Sequence, residues 1–543
     1  MLSAPDSNST AIEADVAIVG GGPVGLALAL ALGRGGVRVA VVESGGEAAQ
    51  GWTRRLAAAD HIEPAAHAPV ERSTHRRVGG ASWIWGGRCV DFDPVDFEPP
   101  PAGGPPGWPI SYQDAISEAS AAAEFMGVGP PDFDAALDWL PADGTVCARL
   151  ERWCADPRLA RRHATEIRGS ELVRFYTGLT CVSVTLDADG RATGFCARSR
   201  SGARRTITAR HYVVAAGGIE TARLLMASPD VRRLAPGPES WLGRGYMGHL
   251  EGAIADIVLD GLEERKVDYS RGPDCYVRPR LALSAEILKR EGLLNIGFVI
   301  DNPRLADGRH GSGPLSAAAL ALATPGLGEA LQPGPVRQIL LGRAPSLGDV
   351  PRHLRNVVAD APGTMAFLSR IAATRYARPA APGLLVGNRA RRYRLGYFGE
   401  QLPRPESRVV LSDVLDPLGL PRVRIEKRLC EDDVQSVLDG HRVFDRELRR
   451  HGLGRLEYAK PPAAVREEVA AQASDGYHQM GTVRMSAHPR DGVVDPNCRL
   501  HGARNLYAVG AAVCPTSGQA NPTYMAVCLS LRLAKRLLAE IRG

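Results

Sequence analysis

Two side chains near the C-terminus have the types and surroundings that oxidation of an alcohol demands. His478 lies in Tyr477-His478-Gln479-Met480-Gly481-Thr482, and Asn521 lies in Ala520-Asn521-Pro522-Thr523. An alcohol must give up a proton from oxygen and a hydride from carbon. Imidazole titrates near ~6.5, so at neutral pH its free nitrogen can take the proton. A positioned base of this kind contributes about 10²–10⁴-fold, and the carboxamide can hold the same hydroxyl. No side chain accepts a hydride, so the chain must also bind a redox cofactor. A lone histidine is more often a satisfied core or surface residue, and a lone asparagine is often a plain helix cap. The assignment therefore depends on finding the elements that would place both groups beside a cofactor.

Those elements begin near residue 15. Asp15 to Val19 is a short β-branched run that reads as a buried strand. Gly20-x-Gly22-x-x-Gly25 is a turn, Val24 to Gly33 a compact helix, and Val37 to Val42 a second strand ending in Glu43. Together they make one βαβ unit of about 30 residues, as dinucleotide-binding folds require. Gly20 permits the tight turn, Gly22 lets backbone approach a pyrophosphate, and Gly25 lets helix and strand pack closely. The free N–H groups opening the helix at Pro23 and Val24 suit phosphate. Glu43, followed by Ser44, is placed to accept from ribose hydroxyls. The fingerprint alone does not separate FAD from NAD. The apolar strand ending in Val213-Val214-Ala215-Ala216-Gly217-Gly218, which opens a helix carrying Glu220, favours a flavin.

The rest of the chain bounds the answer. It has 543 residues, 44% of them hydrophobic, enough for two or three domains. The net charge of +6 is small for this size, with no run of five like charges, which argues against a nucleic-acid partner. The 10 cysteines form no C-x-x-C pair and read as thiols in a reducing compartment, the cytoplasm. Met1 to Thr10 have no signal-peptide character. The apolar stretch Val16 to Leu32 is broken by glycines and Pro23, so no membrane span is expected. Arg, Ala and Gly are abundant, as in GC-rich bacterial genes. Gly51 to Pro109 reads as an irregular segment crossing the cofactor. Gly178 to Val214 reads as strands around an Asp187-Ala188-Asp189-Gly190 turn.

With these residues in view, the chain resembles the glucose–methanol–choline (GMC) oxidoreductases over nearly its whole length. Besides the Gly20–Gly25 turn and Glu43, the matching stretches are Val78-Gly79-Gly80-Ala81-Ser82, Gly86-Gly87-Arg88, Gly107 to Tyr112, Val213 to Leu225 and Glu400 to Val409. The most specific is His478-x-x-Gly481-Thr482-x-Arg484-Met485, followed by Val494-Asp495-Pro496 and Asn521-Pro522-Thr523. The resemblance implies an α/β protein: a Rossmann-like FAD-binding domain with a second, α+β substrate domain on an antiparallel sheet. It divides the chain into FAD-binding parts at 1–110, 165–254 and 466–543. A substrate domain spans 255–465, with 111–164 associated.

The activity implied is FAD-dependent oxidation of a CH–OH group to a carbonyl, with hydride passing to the flavin. The sugar- and polyol-oxidising bacterial branch fits best. Its substrate would be a small-molecule alcohol or sugar, a glycoside, or a natural-product intermediate such as an aminoglycoside. The electron acceptor, O2 or another, stays open. His478 would act on the hydroxyl proton and Asn521 would be its partner. Gly20, Gly22, Pro23, Val24, Gly25, Glu43, Ser44, Gly80, Ser82, Val182, Ala216, Gly217, Glu220, Gly510, Ala511, Asn521, Pro522 and Thr523 would hold FAD, and no metal site is expected. Some relatives carry a flavin-linked His where this chain has Ser82-Trp83-Ile84-Trp85, so dissociable FAD is expected. Val509-Gly510-Ala511-Ala512 lacks the Asp common in the family, and 300–395 aligns with nothing. Asn521 before Pro522 should cap a helix running from Pro522 to about Ile541, its positive end toward the flavin. His249 reads as structural. The run Asp91, Asp93, Asp96, Glu98 reads as a solvated acidic loop. Two other readings remain. One is an NAD(P)H-dependent flavin monooxygenase, whose opening residues look similar. The other is a non-catalytic flavin-binding protein.

Overall fold

The computed structural model describes residues 2–3, 11–99, 104–135, 137–234, 237, 239–260, 262–272, 274–331, 340–342, 348–375 and 381–543. Most of Met1 to Thr10 therefore lies outside the described residues. At its centre is a parallel sheet in the order Leu2–Ser3, Val173–Thr177, Val39–Glu43, Val16–Val19, His211–Val214, Leu506–Ala508. Val16, Ala17 and Ile18 are fully buried. Such a strand has no solvent face, which is why it reads as a continuous apolar run. The fingerprint helix Pro23–Arg34 starts with Pro at its first turn and continues in Leu and Ala, strong helix formers. It packs against the C-terminal helix Thr523–Arg542.

Two glycines of the fingerprint are required by close approach. Gly20 has φ +102, and an added Cβ there would meet the Ala215 carbonyl. A Cβ on Gly25 would collide with the Gly20 carbonyl oxygen. Helix and strand can touch at this point only without side chains.

The second layer is an antiparallel sheet ordered Gly454–Glu457, His249–Leu259, Arg392–Glu400, Ile296–Asp301, Cys275–Leu283, Val146–Cys154, Arg88–Cys89. Its side chains alternate in the way a sheet between two different environments requires. One face presents Leu250, Leu281, Phe298, Leu395 and Tyr397 to Val437, Phe444 and Leu448 of the helix Glu431–Arg450, forming a second apolar core. By the registers Glu251↔Phe398, Arg278↔Glu151, Arg280↔Arg149 and Arg88↔Trp153, the other face is polar and aromatic. It looks toward the C-terminal loops carrying His478 and Gln519. The fold class thus agrees with the sequence reading: a Rossmann-like parallel sheet beside an α+β layer on an antiparallel one.

Three expectations are corrected. The acidic run is not a solvated loop. Asp91 and Asp96 are buried, Asp93 pairs with Arg149 at 3.0 Å, and Asn295 donates to Asp93 at 2.9 Å and Asp96 at 2.7 Å. Only Glu98 stays exposed, paired with Lys289. Local sequence shows the charges but not the arginine and asparagine that arrive from other strands. The C-terminal helix begins at Thr523, and the Pro522 carbonyl accepts from Ala526 N. Asn521 is therefore not its cap: Pro522 takes the cap position, and no side chain caps the first turn. His249, read as structural, belongs to the site described below.

The unaligned region 300–395 contains an inverted helix. Val350–Ala359 turns His353 and Asn356 inward onto Ser316 of the helix Gly313–Ala323, and leaves Leu354 and Val358 exposed.

Candidate active site

A solvent-open cleft with about 1360 Å³ of empty space, part of it open solvent, runs along the C-terminal edge of the parallel sheet. Its lining includes Gly20, Gly22, Pro23, Val24, Glu43, Ser44, Gly80, Ala216, Gly217, Glu220, Gly510, Ala511, Pro522 and Thr523, all expected from sequence. Thr180 and Cys181 line it where Val182 was expected, and Val182 itself is buried beside them. Gly25 and Ser82 lie behind the wall. Gly25 lets the turn close. Ser82 Oγ donates to the Gly79 carbonyl at 2.6 Å and accepts from Leu159 N at 3.3 Å, which fixes the loop that supports Gly80.

The cleft fits a dinucleotide by its own geometry. An added Cβ at Gly22 would find only Gly80 Cα, at 3.9 Å, and at Gly217 nothing within 4 Å. These stretches of backbone are bare where a phosphate would approach. The fingerprint helix has Gly22 at its cap with no side-chain cap bond, so its first N–H groups are left for an anion. Glu43 accepts from Gly21 N at 2.8 Å and Gly45 N at 2.9 Å. Burial pushes its carboxyl above the usual range despite these bonds, a cost that ribose hydroxyls would relieve. Glu220 is held by Arg76 at 2.6 Å.

Next to the cleft, four side chains from three separate stretches of the sequence converge. His478 Nδ1 lies 2.9 Å from Asp475 Oδ2 and 3.0 Å from His249 Nδ1. His478 Nε2 lies 2.7 Å from Asn521 Nδ2, and His249 Nε2 lies 3.3 Å from the Ser517 carbonyl oxygen. Proton positions follow from the network, and one arrangement satisfies every contact. His478 carries its proton on Nδ1 and shares it between Asp475 and His249. His249 carries its proton on Nε2 and donates it to Ser517. The Nε2 lone pair of His478 accepts from the Asn521 amide. Asn521 Oδ1 is buried and has no partner, so the carboxamide keeps an acceptor in reserve beside the base.

Asp475 is the functional residue that the sequence reading missed. Its carboxylate accepts from Tyr477 N at 2.8 Å, His478 N at 3.2 Å and His249 N at 2.9 Å, besides the His478 ring. Burial opposes its charge, but the His478 imidazole, through its charge and its hydrogen bond, together with the nearby Lys427 ammonium, wins and holds its pKa well below 3.8. For His478 burial also opposes charge, and Asp475 outweighs it, raising the pKa above 6.5. His249 goes the other way, pushed down to about 3 by burial and by the adjacent imidazole. One ring is thus made basic and the other is kept neutral. The only sequence signal for Asp475 was an acid three residues before the histidine, a spacing that occurs often by chance.

Comparison with known proteins gives the family. Residues 15–360 match the family described as FAD dependent oxidoreductase, and residues 403–530 match the family described as GMC oxidoreductase. The chain is 24% identical to 2-methyl-1,2-propanediol dehydrogenase of Mycolicibacterium austroafricanum, over 96% of this chain and 95% of that one. It is 29% identical to the C-glycoside 3-oxidase of Arthrobacter globiformis, over 30% of this chain and only 29% of that protein's length. To the paromamine 6'-oxidase of Streptomyces fradiae it is 30% identical, over 26% of this chain and 24% of that one. Among solved structures, pyridoxine 4-oxidase from Mesorbium loti shares the fold with TM-score 0.52 at 18% identity, covering 96% of this chain and 99% of that one.

Proposed function

Because this chain belongs to the FAD-dependent oxidoreductases, with a C-terminal GMC oxidoreductase region, we propose that it oxidises a CH–OH group of a sugar, glycoside or related polyol to a carbonyl. The observation that carries this reading is the pairing of His478 Nε2 with the Asn521 amide at 2.7 Å, the imidazole being held from behind by Asp475. A substrate hydroxyl that displaces the Asn521 amide from the Nε2 lone pair donates to Nε2, and its oxygen accepts from the freed carboxamide N–H. As its proton moves to Nε2, the imidazolium that forms is stabilised by the buried carboxylate at 2.9 Å. Asn521 fixes the angle of approach, and positioning of this kind can supply several kcal/mol of rate enhancement. When FAD is bound in the adjacent cleft it supplies the hydride acceptor. Gly22, Glu43, Ala216, Gly510 and Pro522 would hold it, and Thr523 places the start of the C-terminal helix, a positive dipole end, at the cleft.

The breadth of the substrate class is supported by the relatives' names: a propanediol dehydrogenase, a C-glycoside oxidase and a paromamine oxidase. Ten free thiols, most of them buried, support a reducing compartment such as the cytoplasm. No described helix is long and apolar enough to cross a membrane.

The test is anaerobic reduction of the bound flavin by a panel of sugars, glycosides, polyols and aminoglycosides, followed by admission of air. Bleaching by members of the panel is expected, and the rate of recovery in air distinguishes an oxidase from a dehydrogenase. Rapid bleaching by NADPH, with none by any alcohol, would refute the proposal in favour of a monooxygenase.

A further inference from the structure

The polar face of the antiparallel sheet holds two charged groups beside the base that the mechanism above does not use. Glu251 follows His249 by two residues on the same strand, so both side chains leave the same face. Glu251 is directly opposite Phe398, whose ring meets the His249 ring edge-on at 6.4 Å between centroids. The Arg88 guanidinium lies 4.5 Å from the same Phe398 ring. Glu251 thus stands about one pleat from His249, and His249 touches His478 at 3.0 Å. Arg88 stands across Phe398.

Neither group is used up by the protein. Glu251 makes no hydrogen bond and no ion pair among the described residues, although it lies deep enough for burial to raise its pKa, with Asp475 adding to the effect. Among the described residues the Arg88 side chain has one ion-pair partner, Glu151 Oε1 at 3.3 Å, and that carboxylate also serves Arg278 at 2.8 Å and Arg280 at 3.7 Å. Arg278 also pairs with Asp301 at 2.9 Å, so two carboxylates face three guanidinium groups and one positive charge stays unmatched. The Arg88 side chain keeps 18% of its surface open and His478 keeps 15%. Glu251 is only partly covered as well. Interior charges with open surface and missing partners are arranged for something that arrives.

The geometry points to a subsite for the hydroxyl next to the reacting carbon: we propose that Glu251 and Arg88 bind a neutral vicinal diol of a sugar or polyol, Glu251 accepting from the neighbouring hydroxyl and Arg88 donating to its oxygen. The two charges decide the class. An ammonium group at that carbon attracts Glu251 but is repelled by Arg88, and a carboxylate attracts Arg88 but is repelled by Glu251, whereas a hydroxyl serves both as donor and acceptor without repulsion. The Phe398 ring does not act as a stacking floor, because Arg88 at 4.5 Å and Arg280 at 4.3 Å already occupy it. Recognition is therefore by hydrogen bonds, the mode that discriminates most sharply against an analogue lacking the group. The inference rests on the alcohol-oxidation reading and narrows it to hydroxyl-bearing neighbours.

The experiment compares, on the FAD-loaded enzyme, anaerobic flavin reduction by polyols and methyl pyranosides and by matched analogues. In these the neighbouring hydroxyl is replaced by hydrogen, by an amino group, or by a group bearing a carboxylate. The hydroxyl compounds should exceed the deoxy ones in kcat/KM by about ten- to a hundredfold, the range of a hydrogen bond to a charged group, with amino and carboxylate analogues poorest. Glu251→Gln should collapse the hydroxyl-to-deoxy ratio toward one, a change that mere loosening of the fold does not produce. Equal rates with and without the neighbouring hydroxyl, or preference for the amino analogue, would overturn the inference while leaving alcohol oxidation standing. Reduction by no alcohol at all would sink both. The substrate series uses the wild-type enzyme, so the inference stays testable even if Glu251→Gln fails to fold.

Discussion

Replacing Asp475 by asparagine changes one atom and should disable the base. Of the two carboxylate oxygens, Oδ1 accepts two backbone N–H groups, and Oδ2 accepts His249 N and the His478 ring. An amide nitrogen at the Oδ1 position would orphan two buried donors. At Oδ2 it orphans one, at a cost of about 1–3 kcal/mol, so the amide should turn that way. Its N–H groups then face His478 Nδ1, which must become an acceptor, and the ring proton moves to Nε2. The lone pair needed by the substrate is lost. We expect kcat to fall by about 10²–10⁴-fold, the range of a general base, with FAD still bound.

The pH dependence carries a separate sign. His478 must be neutral to act. In the wild type Asp475 holds its pKa above 6.5, so kcat/KM should rise with pH on a limb above that value. Without the carboxylate, burial dominates, and the residual activity of Asp475→Asn should have its acid limb at lower pH. Stability responds as well. Asp475 is lowered below 3.8, so its contribution is present above that pH and is lost as pH falls through its native value. His478 is raised, so its contribution is full below 6.5 and is lost as pH climbs through its native value. The pair therefore stabilises most between about pH 4 and 6.5, and the variant's melting temperature should fall most in that window. Stopped-flow flavin reduction from pH 5 to 9, with parallel melting curves, checks both. An unchanged acid limb together with wild-type kcat would refute the role given to Asp475.

Three further outcomes follow from named contacts. His478→Ala should abolish flavin reduction by alcohols yet leave the protein yellow, read from its absorbance after desalting; loss of the colour would mean the ring is structural. Glu43→Ala removes the acceptor for Gly21 N and Gly45 N, and should weaken FAD binding by about ten- to a hundredfold, measured by fluorescence titration of apoprotein. Arg223 and Asp416 form a buried pair at 2.8 Å, each only 1% exposed, so Asp416→Ala should cost about 3–5 kcal/mol. A melting point within a degree of wild type would refute that estimate.

Several features were legible in the linear chain because their physics is local. Gly25 answers to the Gly20 carbonyl within one turn, Gly20 takes the positive φ which that turn needs, and Glu43 sits at the end of the next strand. The apolar run Val16–Val19 declares a strand covered on both sides. His478 and Asn521 were recognisable from their flanking residues, and the structure brings them to 2.7 Å. The capping role expected for Asn521 failed because the helix starts one residue later, with Pro522 at the cap position and no side-chain cap bond.

Other features depended on which strand lies beside which. Asp91, Asp93 and Asp96 look like a solvated loop until Arg149, in a strand of the sheet, and Asn295, just before another strand, reach them. His249 and Glu251 are unremarkable positions until strand pairing turns their common face toward His478. Composition and spacing report what a residue can do and what lies within a few residues of it. Burial, charge compensation and the partner across a sheet arise from contacts between segments hundreds of residues apart, and only the folded chain creates them.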